Sequence, residues 1–390
     1  MKNVQKMVPS IILMIVLVGF PQISESIFTP TLPAISQNLH VTARTAQLLM
    51  GSYFIAFAFG VLFWGWLSDQ FGRRQSMLWG ILVYLLGNVS LVVAPSFSVL
   101  LTARLVQAFG ASVGSVVTQT IMRESFTGKD AGKVFAKVGA AMSLAPALGP
   151  LIGGIVQTYL GYRNVFSTLV MMAVLIMLYT WLRLPETKGS SRSELSVSVW
   201  RVMRRLLVDK NVWVFGILIS GVNGVLFSYY AEAPFIFMNH FKFTAVAYGC
   251  SGLIIAGASV LGALISNVAL NYWRNRTIMN VGLLIAMISS FGFLLGTWSD
   301  NVLLILVAIF GIFLGLNIVL PLALSQALIS YGDVIGTASG MFSFAYYWLI
   351  SGLTYGISLL HNGSIHILPI YIVSLVFSML IVFNLREIKH

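Results

Sequence analysis

The stretch GWLSDQFGRRQ, residues 65–75, is polar and basic in a chain that is otherwise strongly apolar. Of the 390 residues, 58% are hydrophobic and 9% are charged. In a soluble domain about half of the residues are apolar and roughly a quarter are charged. Apolar runs of about 20 residues, long enough to cross a bilayer as a helix, lie on both sides of the stretch. The sequence therefore predicts a turn between two membrane spans at this point.

Twelve apolar stretches follow one another between Val8 and Asn384, joined by short polar turns. The first of them is kept as a span, because no small-residue cleavage site of a signal peptide follows it. The predicted spans are 8–34, 45–68, 75–94, 97–121, 133–157, 163–184, 211–238, 245–270, 277–298, 302–329, 333–360 and 365–385. We therefore expect an all-α integral membrane protein with twelve transmembrane helices and no separate soluble domain.

One long polar segment interrupts this series at residues 185–210. Its Pro, Gly and Ser cluster, followed by a basic amphipathic piece, is typical of a linker. The predicted domains are an N-terminal six-helix bundle (1–184), a cytoplasmic linker (185–210) and a C-terminal six-helix bundle (211–390). Such a parallel duplication favours a transporter whose halves rock about a site near the membrane midplane. A channel or a membrane enzyme remains an alternative that hydropathy alone does not exclude.

The net charge of +12 is distributed unevenly over the chain. With the N-terminus in the cytoplasm, 19 of the 23 lysines and arginines fall on cytoplasmic segments, Arg44, Arg163 and Lys242 lie outside, and Arg104 lies within a span. This positive-inside bias predicts a multi-pass protein of the bacterial inner membrane with both termini cytoplasmic. The basic excess is expected to contact anionic lipid head groups, not nucleic acid. The single cysteine, Cys250, excludes a disulfide and a thiolate cluster, and no metal or cofactor is expected.

Six positions of the opening stretch form a spaced pattern: Gly65, Leu67, Asp69, Gly72, Arg73 and Arg74. Glycines permit a tight turn and a close helix approach, and the arginines are too costly to bury in lipid. The pattern resembles the G-x-L-x-D-x-x-G-R-R/K loop between helices 2 and 3 of the major facilitator superfamily. A stop signal of positive charge would account for the arginines, but not for the spaced glycines, leucine and acid.

This resemblance implies a gating role for the loop. In the family the loop holds the two halves together in the outward-open state, and its acid faces the start of helix 11, which corresponds to residues 332–333. The expected gating residues are Gly65, Asp69, Gly72, Arg73, Arg74 and Glu124. Glu124, at the cytoplasmic end of span 4, is the expected partner of Arg73.

A second resemblance lies in span 5, where AMSLAPALGPLIGG occupies residues 141–154. Small residues let two membrane helices pack closely, and prolines kink a span. The stretch resembles the motif of proton-coupled exporters of the same superfamily, which implies export rather than import. The matching residues, expected to serve helix packing, are Pro146, Gly149, Pro150, Gly153 and Gly154. Generic small-residue packing is the alternative.

Span 4 and two shorter pieces extend the resemblance. In LLTARLVQAFGASVG, residues 100–114, Arg104, Gln107 and Gly110 resemble the family pattern R-x-x-Q-G-x-G, although Ala108 replaces a glycine. The pieces TPTLP at 29–33 and APFIF at 233–237 resemble helices 1 and 7 of bicyclomycin-resistance type drug/proton antiporters. That type therefore becomes the specific expectation for this chain.

Three ionisable residues fall well inside predicted spans: Glu25, Arg104 and Glu232. Such residues are costly in a membrane and by default indicate function. At about 1.5 Å per residue, Glu25 and Arg104 lie at a similar depth in the outer half. They predict a proton-coupling site, with Glu232 as a further candidate nearer the outer rim. Glu25 is displaced by one position from the acid of the family pattern, and a static buried ion pair is the alternative.

Aromatic and amide residues near the helix centres predict a large apolar pocket with few polar groups, the usual composition of a small-molecule site. Methionine is an adaptable lining, and the chain has 16 of them. The candidate substrate-binding residues are Gln107, Met142, Asn223, Tyr229, Tyr230, Asn317, Phe344 and Tyr347.

These observations lead to one expectation with two alternatives. We expect a monomeric, proton-coupled secondary transporter that exports lipophilic small molecules, as in multidrug efflux. A dedicated exporter of one metabolite, such as a siderophore or an amino-acid product, would use the same machinery. A non-transporting membrane enzyme would need a catalytic signature, and the sequence has no paired histidine ligands and no P-loop.

Overall fold

The computed structural model describes residues 9–126, 134, 137–139, 141–142, 144–188 and 199–385. No described residue lies in a β-strand. Twelve long helices occupy the described ranges: α1 (Ile11–Asn38), α2 (Ala43–Phe71), α3 (Arg73–Val93), α4 (Phe97–Ser125), α5 (Ala145–Leu160), α6 (Tyr162–Arg183), α7 (Lys210–His240), α8 (Ala245–Ala269), α9 (Asn275–Trp298), α10 (Val302–Ala327), α11 (Ile335–Leu360) and α12 (Ile367–Leu385).

Ten of the described helices are long and apolar enough to cross a membrane, and α5 and α11 complete the twelve. The all-α fold predicted from hydropathy is thereby confirmed. Part of the predicted fifth span, and residues 189–198 of the predicted linker, lie outside the described residues. The described end of the linker forms a short helix, Val199–Val208, before α7 begins.

Polar residues placed before the apolar runs start several of these helices. The side chains of Ser10, Thr42, Thr244 and Asn301 each accept a hydrogen bond from a backbone N–H three residues on, at 3.0 to 3.2 Å. Such N-caps satisfy donors that have no partner within the helix. The short turns of the sequence thus fix where the spans begin.

Prolines interrupt the regular helix in two of the spans. In α1 the regular helix ends at Ser26, a short tight turn covers Thr29–Thr31, and the helix resumes at Leu32. Pro30 has no N–H to donate, which favours a break here. In α7 the helix passes after Pro234 into a wider π-helical turn, Phe235–His240. Both interruptions lie in the pieces TPTLP and APFIF.

The helices pack as two pseudo-symmetric six-helix halves. In the first half α4 packs against α1, α2 and α3, and α6 covers α3. In the second half α10 packs against α8 and α9, and α7 lies on α11. The halves meet where α2 packs on α11 and where α5 packs on α8. The exact domain limits, 1–184, 185–210 and 211–390, stay a prediction.

The helix ends form two membrane faces, a basic face and an opposite face. The basic face carries the turn between α2 and α3, the end of α4 at Ser125 and the short helix Val199–Val208. The opposite face carries the turns that precede α2, α4, α8 and α10. The positive-inside bias predicts that the basic face is cytoplasmic.

Candidate functional site

Arg73 is the centre of a polar cluster on the basic face. Its guanidinium donates to both carboxylate oxygens of Glu124, at 2.6 and 3.1 Å, to Asp69 Oδ1 at 2.5 Å and to Ser68 Oγ at 2.8 Å. A planar guanidinium holds a carboxylate in this two-bonded geometry, which lysine cannot reproduce. The structure thus joins the α2–α3 turn to the end of α4.

Glu186 completes this cluster from beyond α6. Its carboxylate accepts from the backbone N–H groups of Arg73 and Arg74, at 2.8 and 3.2 Å. These are unpaired donors of the first turn of α3, where a negative charge is favourable. Gly72 has a φ of 99°, and a Cβ on it would lie 2.5 Å from Glu186 Oε2. Glycine is required here both by the backbone and by the close carboxylate.

The other members of the opening stretch have simpler contacts. Arg74 donates to the backbone oxygen of Trp181 at 2.8 Å, which ties the turn to α6. A Cβ on Gly65 would make an ordinary contact of 3.5 Å with Val116 on α4. Asp69 is paired with Arg73 inside the same half, and its side chain is 66% exposed. The cluster in this conformation therefore holds the first half together.

Arg104 lies buried in the first half, where it is 2% exposed. Its guanidinium donates to the backbone oxygens of Ser24 and Glu25, at 3.1 and 3.3 Å, and to the side-chain oxygen of Gln107. Gln107 in turn donates to Asn88. Arg104 thus reaches the depth of Glu25, but it holds the main chain of α1 instead of the carboxylate. One position along a helix rotates a side chain by about 100°, which accounts for this difference.

The Glu25 carboxyl faces the centre of the molecule. It lies close enough to interact electrostatically with Arg104, and with four tyrosines on α2, α7 and α11: Tyr53, Tyr230, Tyr346 and Tyr347. It accepts no hydrogen bond from any residue in the described part of the chain. The carboxyl is therefore placed between the two halves and beside the fixed cation, without being tied to either.

Aromatic rings from both halves meet next to Glu25. We call the following seven residues the central aromatic cluster: Tyr53, Phe54, Phe57, Phe227, Tyr230, Tyr346 and Tyr347. Ring centroids across the halves are 4.3 Å apart for Phe54 and Phe227, and 4.8 Å apart for Phe57 and Tyr347. Tyr53 also lies under the Arg104 guanidinium, 4.3 Å from ring centroid to Cζ. The cluster forms an apolar, polarisable surface with a few hydroxyl groups.

Two of the eight predicted substrate-binding residues, Tyr230 and Tyr347, belong to this cluster. Tyr229 is buried on α7 against Ser251 and Phe313. Phe344 packs against the half-exposed rings of Phe59 and Trp348.

The remaining candidates are not gathered at the central aromatic cluster. Gln107 is fully buried in the Arg104 network, and Met142 packs partly buried against the core. The amides of Asn223 and Asn317 donate to backbone oxygens of their own helices, at 2.8 Å in each case.

The glycines of α5 lie at very close helix contacts. A Cβ on Gly149 would lie 2.0 Å from Ser26 Oγ, and one on Gly153 would lie 1.7 Å from the backbone oxygen of Ile27. Gly154 faces the other half, with the backbone oxygen of Ala245 at 2.2 Å from such a Cβ. A Cβ on Gly249 of α8 would lie 2.5 Å from the backbone oxygen of Pro150. α5 thus packs on the break in α1 and on the second half at once.

Pro146 also belongs to the predicted packing motif. Its backbone lies in the first turn of α5, and its side chain lies outside the described residues.

Polar contacts join the halves near the opposite face. Glu232 on α7 accepts from the amide of Gln47 on α2 at 2.5 Å, and His361 Nδ1 lies 2.7 and 2.9 Å from its two oxygens. We call Gln47, Glu232 and His361 the opposite-face latch. One turn deeper, Ser351 Oγ donates to the backbone oxygen of Gly51 at 2.8 Å. In this conformation the halves are therefore closed toward the opposite face.

Several of these residues were not predicted from the sequence: Gln47, Tyr53, Phe54, Phe57, Asn88, Glu186, Phe227, Tyr346 and His361. The spacing of the aromatic residues on α2 was a signal for part of the central aromatic cluster, because positions three and four apart share a face of a helix. Glu186 and His361 lie in turns, where polar residues are ordinary.

Comparisons with known proteins agree with this architecture. The sequence profile described as Major Facilitator Superfamily matches residues 14–354. An uncharacterized transporter of Rickettsia bellii is 30% identical, over 88% of this chain and 88% of that protein. Multidrug resistance protein MdtL of Citrobacter koseri is 24% identical over 80% of this chain and 79% of its own. The xylose transporter XylE of E. coli, in a partially occluded inward open conformation, superposes with a TM-score of 0.75 at 13% identity, covering 96% of each chain.

Proposed function

Because this chain belongs to the Major Facilitator Superfamily, we propose that it is a secondary transporter of the bacterial inner membrane that exports lipophilic small molecules in exchange for protons. Within the family we assign it to the bicyclomycin-resistance type. The observation that carries this proposal is the Glu25 carboxyl, which lies between the halves beside Arg104 and the central aromatic cluster.

Glu25 has the surroundings that proton exchange needs. A carboxylate without a hydrogen-bonding partner is costly within a membrane, whereas its protonated form is not. A cationic or polar group of a substrate that approaches Glu25 would favour the ionised form and release the proton. Arg104, fixed by the oxygens of Ser24 and Glu25, sets the local charge against which this exchange occurs.

The central aromatic cluster supports a lipophilic substrate. Aromatic side chains offer a large apolar surface, and their faces attract cations. The rings come from α2, α7 and α11, so that a rocking motion of the halves would separate them and change the site. Phe344, Asn223 and Asn317 would contact a substrate only in a conformation that turns their helices toward the centre.

The two faces support alternating access. The opposite-face latch joins the halves, while the cluster around Arg73 is satisfied within the first half and leaves Asp69 exposed. In the alternate state the latch would open, and the Asp69 loop would contact the start of α11, as the family resemblance implies. Gly65, Gly72, Arg74 and Glu124 are the proposed supports of that loop.

The range of substrates distinguishes multidrug efflux from a dedicated metabolite exporter. A susceptibility panel of unrelated lipophilic antibiotics and dyes, in cells that overproduce the protein, tests this point. Efflux of many compounds predicts lower susceptibility to several chemically unrelated members. Unchanged susceptibility across the panel would contradict multidrug efflux and favour the dedicated exporter.

Coupling is tested with inside-out vesicles that carry an imposed pH gradient. A drop in external pH should drive no uptake of a panel compound, while an acidic lumen should drive its accumulation. The exchange predicts that dissipating the gradient abolishes accumulation. Accumulation that persists without any proton gradient would contradict proton coupling.

A further inference from the structure

The contacts of the Glu232 side chain depend on the charge of its carboxyl. Glu232 is 1% exposed; its carboxyl accepts from Gln47 in the first half and lies 2.7 and 2.9 Å from His361 Nδ1 in the second. Gln47 Nε2 also lies 3.3 Å from His361 Nδ1, so that all three side chains meet. Gln47 has no charge of its own and reaches the second half through this carboxylate.

An ionised carboxylate suits this position better than a protonated one. Both oxygens of a carboxylate accept hydrogen bonds, and a bond from a charged partner is about twice as strong as a neutral one. A proton on Glu232 removes the negative charge of the carboxylate. The bond from Gln47, which crosses between the halves, then becomes a weaker bond between two neutral groups.

Water has a route to this carboxyl from the opposite face. A cavity of about 260 Å³ is lined by Glu232 and His361 together with Phe235, Asn239 and Gly363, among others. Asn239 and Gly363 are exposed, so the cavity begins at the surface. A buried carboxyl on the wall of such a cavity can exchange a proton with the outside without any movement of the halves.

We propose that Glu232, held between Gln47 and His361, is a second proton-binding site, and that proton binding there opens the latch. It differs from the site at Glu25, since it faces only the outside and does not contact the central aromatic cluster. External acid would favour the state that is open to the opposite face, which is the state that discharges an exported substrate and takes up protons. The inference rests on alternating access, but not on the identity of the substrate.

Other titratable and charged groups near the latch have partners or face solvent. His240, which lines the same cavity, is 3.0 Å from Asp300. His366 lies 3.2 Å from the hydroxyl of Thr297 on α9. Arg44, in the first turn of α2, is exposed. His361 is therefore the ionisable group in direct contact with Glu232 among the described residues.

A distance measurement between the halves tests this inference on the purified full chain, without substrate. Spin labels on Gln37→Cys and Ser299→Cys, in a Cys250→Ser background, report the separation of exposed positions at the opposite face. The parent should populate a longer distance as the pH is lowered from about 8 to about 4, near the ordinary pKa of a free glutamate side chain. Loss of the carboxylate charge at the hydrogen bond from Gln47 should raise the ratio of open to closed molecules about tenfold.

Two variants separate proton binding from mere packing. Glu232→Gln imitates the protonated acid and should give the open distance at every pH. Gln47→Ala removes the bond between the halves and should do the same while leaving Glu232 and His361 in place. Asp300→Asn is the matched control, because it removes an acid next to a histidine at the same face but within one half. It should retain the pH response of the parent.

A closed distance in the parent at all pH values, or a full pH response in Glu232→Gln, would overturn the inference. Loss of the response in Asp300→Asn would assign it to His240 and Asp300 and would overturn it as well. Drug efflux driven by a pH gradient is measured separately in vesicles. Its absence would contradict the proposed function while leaving the distance result in force.

Discussion

At the scale of single residues, both the backbone conformation and a neighbouring carboxylate require glycine at position 72. Its φ of 99° lies in the region that favours glycine, and Glu186 fills the space where a Cβ would stand. Glu186 is there because it binds the first backbone N–H groups of α3. The glycine of the opening stretch therefore serves a contact with a residue more than a hundred positions away.

The substitution Gly72→Ala should lower the thermal stability of the purified protein more than Gly161→Ala does. Gly161 has a similar φ of 85°, but nothing lies within 4 Å of the Cβ position there. Both substitutions strain the backbone by about 1 kcal/mol or more, whereas only Gly72→Ala also displaces the Glu186 carboxylate. Adding Glu186→Ala should remove the excess loss, and equal losses in the two single variants would contradict this assignment.

The substitutions Arg73→Lys and Arg74→Lys should differ in their effect on thermal stability in the same assay. Arg73→Lys loses the two-bonded contact with Glu124 and should cost about 1.5 to 3 kcal/mol, the usual value of a hydrogen bond to a charged group. Arg74→Lys keeps a donor for the exposed bond to the Trp181 oxygen and should change stability little. Equal effects would mean that both arginines act only as positive charge at the end of a span.

The sequence predicted the Arg73 cluster as far as its residues lie in the GWLSDQFGRRQ stretch or were expected to pair with Arg73. It missed Glu186, which completes the cluster. Spacing places Gly72 and Arg73 in a turn, and a family pattern gives them a role. No local pattern connects Glu186 to that turn, because the contact forms only when α6 returns to the basic face. For the same reason Gln47 and His361 carried no signal, although Glu232 was recognised as an acid within a span.

At the scale of helices, α5 is one of the elements that touch both halves. Gly153 meets the break in α1, and Gly154 meets the first turn of α8. Small residues permit such backbone contacts in a membrane, where the close packing itself supplies the stability. A displacement of α5 would therefore be transmitted to the segment that carries Glu25.

A methyl group at Gly154 should force the halves apart at the opposite face. The nearest atom, the Ala245 oxygen, belongs to a backbone that cannot turn aside. Gly154→Ala should therefore lengthen the distance between labels at positions 37 and 299 at neutral pH.

Gly257→Ala on α8 is the matched control for this substitution, since nothing lies within 4 Å of its Cβ position. It should leave the distance unchanged and raise the stability of the helix by up to about 1 kcal/mol. An unchanged distance in Gly154→Ala would contradict the close contact.

The sequence predicted the helices better than it predicted their side-chain contacts. Apolar length predicted the spans because it is a local property, and the structure adds the caps Thr42, Thr244 and Asn301 at their starts. The depth of Arg104 was also predictable by counting residues. Its hydrogen bonds to main-chain oxygens were not, because the break after Ser26 and the position of Glu25 around the helix decide them.

At the scale of the whole molecule, the proposed mechanism uses two acids that lie at two depths of the protein. The Glu25 carboxyl is central and has no hydrogen-bonding partner among the described residues, and Glu232 closes the opposite face between Gln47 and His361. In the proposed cycle the latch governs which face is open, and the Glu25 carboxyl meets the substrate. Exchange of substrate for protons follows when Glu232 takes up protons from the outside and Glu25 exchanges its proton for the bound molecule.

The most direct test of this account is the release of protons on substrate binding. Purified protein in weakly buffered detergent solution is mixed with a lipophilic cation identified in the susceptibility panel, and the pH of the solution is followed. The parent and Asp300→Asn should release protons in proportion to the bound cation, and Glu25→Gln should bind the cation more weakly and release none. Proton release by Glu25→Gln equal to that of the parent would contradict the account.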